Sequence, residues 1–117
     1  MMLGRTTAVV AILLAHSFLC GAAYAACPGE TQMELNECAG MAYQKADKQL
    51  NQAYRKLQRT PDLVAAQRAW ITFRDAECKY QASGFDGGSI QPMVYANCLQ
   101  SLTEDRIKQL EQASQEQ

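Results

Sequence analysis

TQMELNECAGMAYQKADKQLNQAYRKL, residues 31–57, is the stretch from which the fold is read. Thr31 followed three residues later by Glu34 is a capping box, in which hydroxyl and carboxylate satisfy the free N–H groups of a helix start. Behind it Leu35, Cys38, Ala42, Ala46, Leu50, Ala53 and Leu57 recur at steps of three and four. That period draws one apolar stripe along a long helix. Lys45, Lys48, Gln52 and Lys56 occupy the other face, and nothing breaks the pattern before Arg59.

Outward from this helix the chain repeats the theme. Thr60-Pro61 marks a second start, with Thr as N-cap and Pro in the first turn. Leu63, Ala66, Trp70, Phe73 and Glu77 follow at helical spacing, and Ala69 and Ala76 widen the stripe. A helix to about Tyr80 is expected, antiparallel to the first because the connection is short. Gln81 to Gln91 is an irregular stretch holding Gly84, Gly87 and Gly88, which reads as a loop. Pro92 opens a third helix through Met93, Ala96, Leu99, Leu102, Arg106 and Leu110, which Thr103-Glu104-Asp105 could recap or bend. The tail from Gln112 is expected to fray. No segment reads as a strand. The fold class expected is all-α: a small three-helix antiparallel bundle or hairpin.

Residues 1–25 read as a secretory signal peptide. Arg5 supplies the positive start, Ala8 to Leu19 the apolar run, and Ala23-Tyr24-Ala25 the small-x-small cleavage site. Its removal takes away His16, the one histidine, and Cys20, the odd cysteine. Residues 26–117 then form one domain with four cysteines, which in a small exported protein reads as two disulfides. The favoured pairing is Cys78 with Cys98 across the glycine loop and Cys27 with Cys38 at the start of the first helix. A hairpin near Thr60 would equally bring Cys38 level with Cys78, leaving Cys27 for Cys98, so both maps stand at this point. Soluble export fits the leader better than lipidation at Cys27, where Tyr24 stands in place of a small aliphatic residue.

Composition narrows the function. Without Arg5, ten Lys and Arg face twelve Asp and Glu, a net charge of −2. That is not the basic surface of a nucleic-acid binder, and no apolar run after residue 25 reaches the roughly 20 residues that span a bilayer. Without histidine the common general base and metal ligand are missing. No catalytic, metal or cofactor residues are expected, and the chain reads as non-enzymatic.

Gln67-Arg68-Ala69-Trp70-Ile71-Thr72-Phe73-Arg74-Asp75-Ala76-Glu77-Cys78 resembles the signature of the lysozyme inhibitor LprI N-terminal domain family. Met33-Glu34-Leu35-Asn36-Glu37-Cys38-Ala39, Ala46-Asp47, Leu50-Asn51, Gly87-Gly88-Ser89-Ile90 and Cys98 before Thr103 and Arg106 match in order. The resemblance covers essentially all of residues 26–117. It implies a small exported helical protein with paired cysteines. The family's namesake is a lysozyme-inhibiting lipoprotein; this chain lacks a clear lipobox, so anchoring does not carry over.

Two surfaces are candidates for binding a partner, lysozyme or another cell-envelope protein. One is the loop Gly84, Phe85, Asp86, Gly87, Gly88 and Ser89, which could enter a cleft, cradle an anion, or merely connect two helices. The other is Glu30, Glu34 and Glu37, which could attract a cationic enzyme or simply complement the helix dipole. Trp70 and Phe73 are expected in the core, with Arg74 and Asp75 tying helices together. The leading function is muramidase inhibition by occlusion of the cleft in the periplasm or outside the cell. The alternative is a structural or stress-associated interaction module of the envelope that does not bind lysozyme.

Overall fold

The structure, a computed structural model, describes residues 27–117; the signal peptide read over residues 1–25 lies outside the described residues. Three helices account for most of it: α1 (Gln32–Arg55), α2 (Pro61–Ser83) and α3 (Gln91–Gln115). α1 begins with the full capping box. Thr31 Oγ1 accepts from Glu34 N–H at 3.2 Å, and Glu34 Oε2 accepts from the N–H groups of Thr31 and Glu30 at 2.9 Å. α2 is capped by Thr60, whose hydroxyl accepts from Leu63 N–H at 3.2 Å, with Pro61 in its first turn.

The ends of the helices fix their directions. At one end Asn36 Nδ2 donates to Ser89 O at 2.9 Å; at the other Gln58 N–H donates to Gln117 Oε1 at 3.2 Å. α1 and α3 therefore run parallel. α2 runs antiparallel to α3, because Cys78 joins Cys98, Arg74 reaches Thr103 and Arg106 reaches Gln67. The bundle is thus up, down, up. α3 packs on both other helices, whereas no Cα of α1 comes within 8 Å of a Cα of α2. Small residues on α1, Ala39, Ala46 and Ala53, are buried and leave little bulk between α1 and α3.

The core has two parts. Leu50, Ala53, Leu57 and Leu110 form one, with Tyr54, Leu63, Trp70 and Ile107 packed around it. Cys78, Cys98 and Leu99 form the other, beside Tyr43 and Leu102. Each fully buried leucine removes enough apolar surface from water to contribute about 2 kcal/mol.

The cysteines settle on Cys27–Cys38 and Cys78–Cys98, with Cα separations of 5.5 and 5.4 Å. The pairing of Cys38 with Cys78 is thereby ruled out, and the Cys27 sulfur is not free for a lipid.

Three expectations are corrected. The buried face of α2 is not the alanine and phenylalanine stripe. Ala66, Ala69 and Ala76 are exposed, and Phe73 is 55 % exposed. The inward positions are Leu63, Gln67, Trp70, Arg74, Cys78 and Ala82, because two long polar side chains find partners inside and bring their apolar stems with them. Next, α3 neither breaks nor recaps at Thr103. That residue is wholly buried in mid-helix and its hydroxyl accepts from Arg74. Finally, the helix continues past Gln112 to Gln115, closed by Glu116 N–H on Ala113 O.

Candidate functional site

The glycine loop is a run of interlocked turns. Phe85 N–H donates to Ala82 O, Asp86 N–H to Ser83 O, Gly88 N–H to Phe85 O and Gln91 N–H to Gly88 O, at 2.9 to 3.3 Å. Gly87 sits at φ +79°, a backbone region that side chains with a Cβ rarely enter. Beneath the loop, Cys78–Cys98 clamps the helices that carry it. On its flanks Asn36 holds the Ser89 carbonyl and Gln91 Nε2 donates to Asp86 Oδ1. Gly84, Phe85, Asp86, Gly87, Gly88 and Ser89 are nonetheless all exposed, with Phe85 at 44 %. The loop is therefore braced from below and open above.

Glu30, Glu34 and Glu37 are exposed at the same end, where α1 begins. The bond from Asn36 to Ser89 ties that helix start to the loop, so both candidate surfaces share one pole of the bundle. The three acids do not play one part. The Glu34 carboxylate is engaged in the capping box, and the backbone N–H groups of Thr31 and Glu30 hold its pKa below the usual carboxylate value. Glu30 and Glu37 extend into solvent with carboxylates that take no part in the cap.

Between the end of α2 and the start of α3 lies a cleft of about 420 Å³, with Lys79, Asp86, Gln91 and Tyr95 in its walls. Sequence reasoning passed over Lys79 and Tyr95. The available signal was their position, since each stands within three residues of a cysteine in the pair that closes this end.

Arg74 and Asp75 act as the joint expected of them. The Arg74 guanidinium is bonded to Asp75 at 2.9 Å, to the Thr103 hydroxyl at 3.3 Å, and lies 3.7 Å from Asp47. It also lies over the rings of Tyr43 and Trp70, at 5.5 and 5.1 Å. One side chain of α2 thus touches α1 and α3. Burial pushes the Tyr43 hydroxyl pKa up, against the opposing pull of the Arg74 charge. Trp70 is half-buried at the joint, as expected; Phe73 is not.

All four described cysteines are in disulfides, and no cluster of His, Cys, Asp and Glu among the described residues could hold a metal ion. No described helix is long and apolar enough to cross a membrane. What this pole offers is a shaped, charged surface.

A family model for lysozyme inhibitor LprI matches residues 22–110. The chain belongs to the LprI family. An uncharacterized protein of Rhizobium meliloti (strain 1021) is 36 % identical to this LprI-family chain over 101 residues, in a match covering 70 % of this chain and 73 % of the relative. No solved structure matches the chain. The family match spans α1, α2, the glycine loop and nearly all of α3, so the LprI pattern takes in the braced pole and the Arg74 joint alike.

Proposed function

We propose that this chain is an exported inhibitor of a lysozyme-like muramidase that works by occluding the enzyme's cleft with the Gly84–Ser89 loop, without chemistry of its own. The observation that carries this reading is the bracing of an exposed loop in a chain of the LprI family. A loop already fixed by turns, a disulfide and the Asn36 bond loses little conformational freedom on binding, and that saving appears as affinity. Phe85 is its apolar tip and Asp86 its charge. Glu30 and Glu37 stand at the same pole and would draw a cationic enzyme toward it, an effect that speeds encounter and fades with salt. The leader read over residues 1–25 and the two disulfides support export to an oxidising compartment.

The test is clearing of a cell-wall suspension by a basic animal-type lysozyme in the presence of the oxidised, processed protein. Inhibition near stoichiometric amounts is expected, weakened by Phe85→Ala and by added salt. Absence of inhibition at large excess would refute the reading, and would direct the search to another partner in the envelope.

A further inference from the structure

The cleft between the end of α2 and the start of α3 holds polar groups that the bundle does not use. Lys79 and Asp86 stand in its walls, roughly 10 Å apart along the chain. Among the described residues Lys79 pairs with no carboxylate. Asp86 Oδ1 accepts from Gln91 Nε2, which fixes the carboxylate and leaves its second oxygen to accept another donor. Buried Ala82, Pro92 and the ring of Tyr95, a residue 36 % exposed, supply the apolar lining. Cys78–Cys98 sets the spacing of the two walls, because Lys79 follows one of its cysteines and Tyr95 lies one turn before the other.

On the same side α1 presents bare backbone. Asn36, one turn before Gly40, bonds to Ser89, while Tyr43 and Asp47 beyond it meet Arg74. Gly40 therefore lies on the flank of α1 turned toward the loop and α2, at the height of the cleft, which also sits between the loop and Arg74. A Cβ there would meet nothing within 4 Å. A glycine in mid-helix is destabilising relative to alanine, its φ here is not positive, and no neighbour in the bundle requires it. Its effect is to leave open space beside the cleft.

We propose that this cleft is a binding site for a neutral saccharide of one or two pyranose rings. Its volume of about 420 Å³ is at the small end of ligand sites. Its two charges have opposite sign, so a ligand with a net charge gains at one wall what it loses at the other. A sugar hydroxyl both donates and accepts: one donates to Asp86 while another accepts from Lys79. The C–H face of the ring then lies on Tyr95 and Pro92. A zwitterionic peptide would also match the two charges. Both charges are exposed, where ion pairs contribute little, so the apolar lining must supply the affinity. A rigid ring covers that lining with less loss of conformational freedom than a peptide. The proposal stands apart from the lysozyme reading and is tested without an enzyme.

NMR titration of the oxidised, processed protein with N,N′-diacetylchitobiose, and separately with cellobiose, should show saturable binding of at least one, with shifts centred on the amides of Lys79, Asp86, Gln91 and Tyr95. Tyr95→Ala and Lys79→Met should each weaken it about tenfold or more. Gly40→Leu should raise the melting temperature and yet weaken binding, a combination that a merely structural glycine would not give. Circular dichroism checks that the variants fold. If Tyr95→Ala does not fold, Tyr95→Leu removes the ring and keeps the bulk. No saturable shift with either disaccharide, or binding indifferent to these changes, would overturn the proposal. So would tighter binding of zwitterionic dialanine at the same residues, because the site would then be a peptide's.

Discussion

Replacing Arg74 tests the physical account of the fold at its most connected side chain. Arg74 is 6 % exposed, and Arg74→Ala removes three kinds of contact at once. Its buried stem loses about two methylene groups of packing, about 1.6 kcal/mol. Its stacking on Tyr43 and Trp70 goes as well, about 0.5–1 kcal/mol for each ring. The wholly buried Thr103 hydroxyl loses the donor that reaches it, about 1 kcal/mol. The ion pairs add little, because the Asp47 and Asp75 side chains are 42 % and 51 % exposed and regain water when the guanidinium leaves. Against these losses stands the rotamer freedom of a long ordered side chain, about 1.5–2 kcal/mol.

The net loss is about 2 kcal/mol, a fall in Tm of roughly 8–16 °C for a domain of this size. Urea unfolding with the disulfides intact gives the free energy directly. Arg74→Met separates the contributions: it keeps the stem's packing but loses the stacking and the Thr103 donor and regains no rotamer freedom, so it should lose a similar amount for different reasons. Adding Thr103→Val to Arg74→Met should recover about 1 kcal/mol by removing the orphaned hydroxyl. If Arg74→Ala unfolds within about 0.5 kcal/mol of the native protein, the guanidinium is not the joint between helices and the account of α2 given above fails.

Other outcomes follow from single features. Cys78–Cys98 and Cys27–Cys38 close segments with sequence separations of 20 and 11, so in the chain-entropy picture each contributes about 3 kcal/mol. Melting with and without reductant should differ markedly, and paired Cys→Ala variants should show the larger loss at Cys78–Cys98, where both sulfurs lie in the core. At Gly87 a Cβ would meet nothing within 4 Å, so Gly87→Ala should cost about 1–2 kcal/mol from the positive φ alone, with Gly87→Asn milder; chemical denaturation distinguishes them. Glu34 has its folded pKa lowered. Its stabilisation is therefore present above the unfolded value of about 4.3 and lost as pH falls through the folded one. The stability gap between native protein and Glu34→Ala, followed by acid titration of the helical signal, should close on that side; a gap widening toward low pH would reverse the assignment.

The helices were legible because their ends are local. Thr31 with Glu34, and Thr60 with Pro61, act within four residues, and the sequence contains everything that such a cap needs. The favoured cysteine pairing was legible for a similar reason, since each bridge closes a short span over a turn or a helix start. The buried face of α2 was not. A hydrophobic period finds Ala66, Ala69, Phe73 and Ala76 on one side of that helix, and it cannot see that Gln67 and Arg74 will be satisfied from α3 and α1. Arg106 supplies the partner for Gln67; Thr103, Tyr43 and Asp47 supply those for Arg74. Once those partners exist, polar atoms cost little to bury, and the helix turns its long stems inward and its alanines outward. The same rotation exposes Phe73. The signature from Gln67 to Cys78 therefore divides by face: Gln67, Trp70, Arg74 and Cys78 build the bundle. Ala69, Phe73 and Ala76 add nothing to the core; the alanines serve α2 through their helix propensity instead.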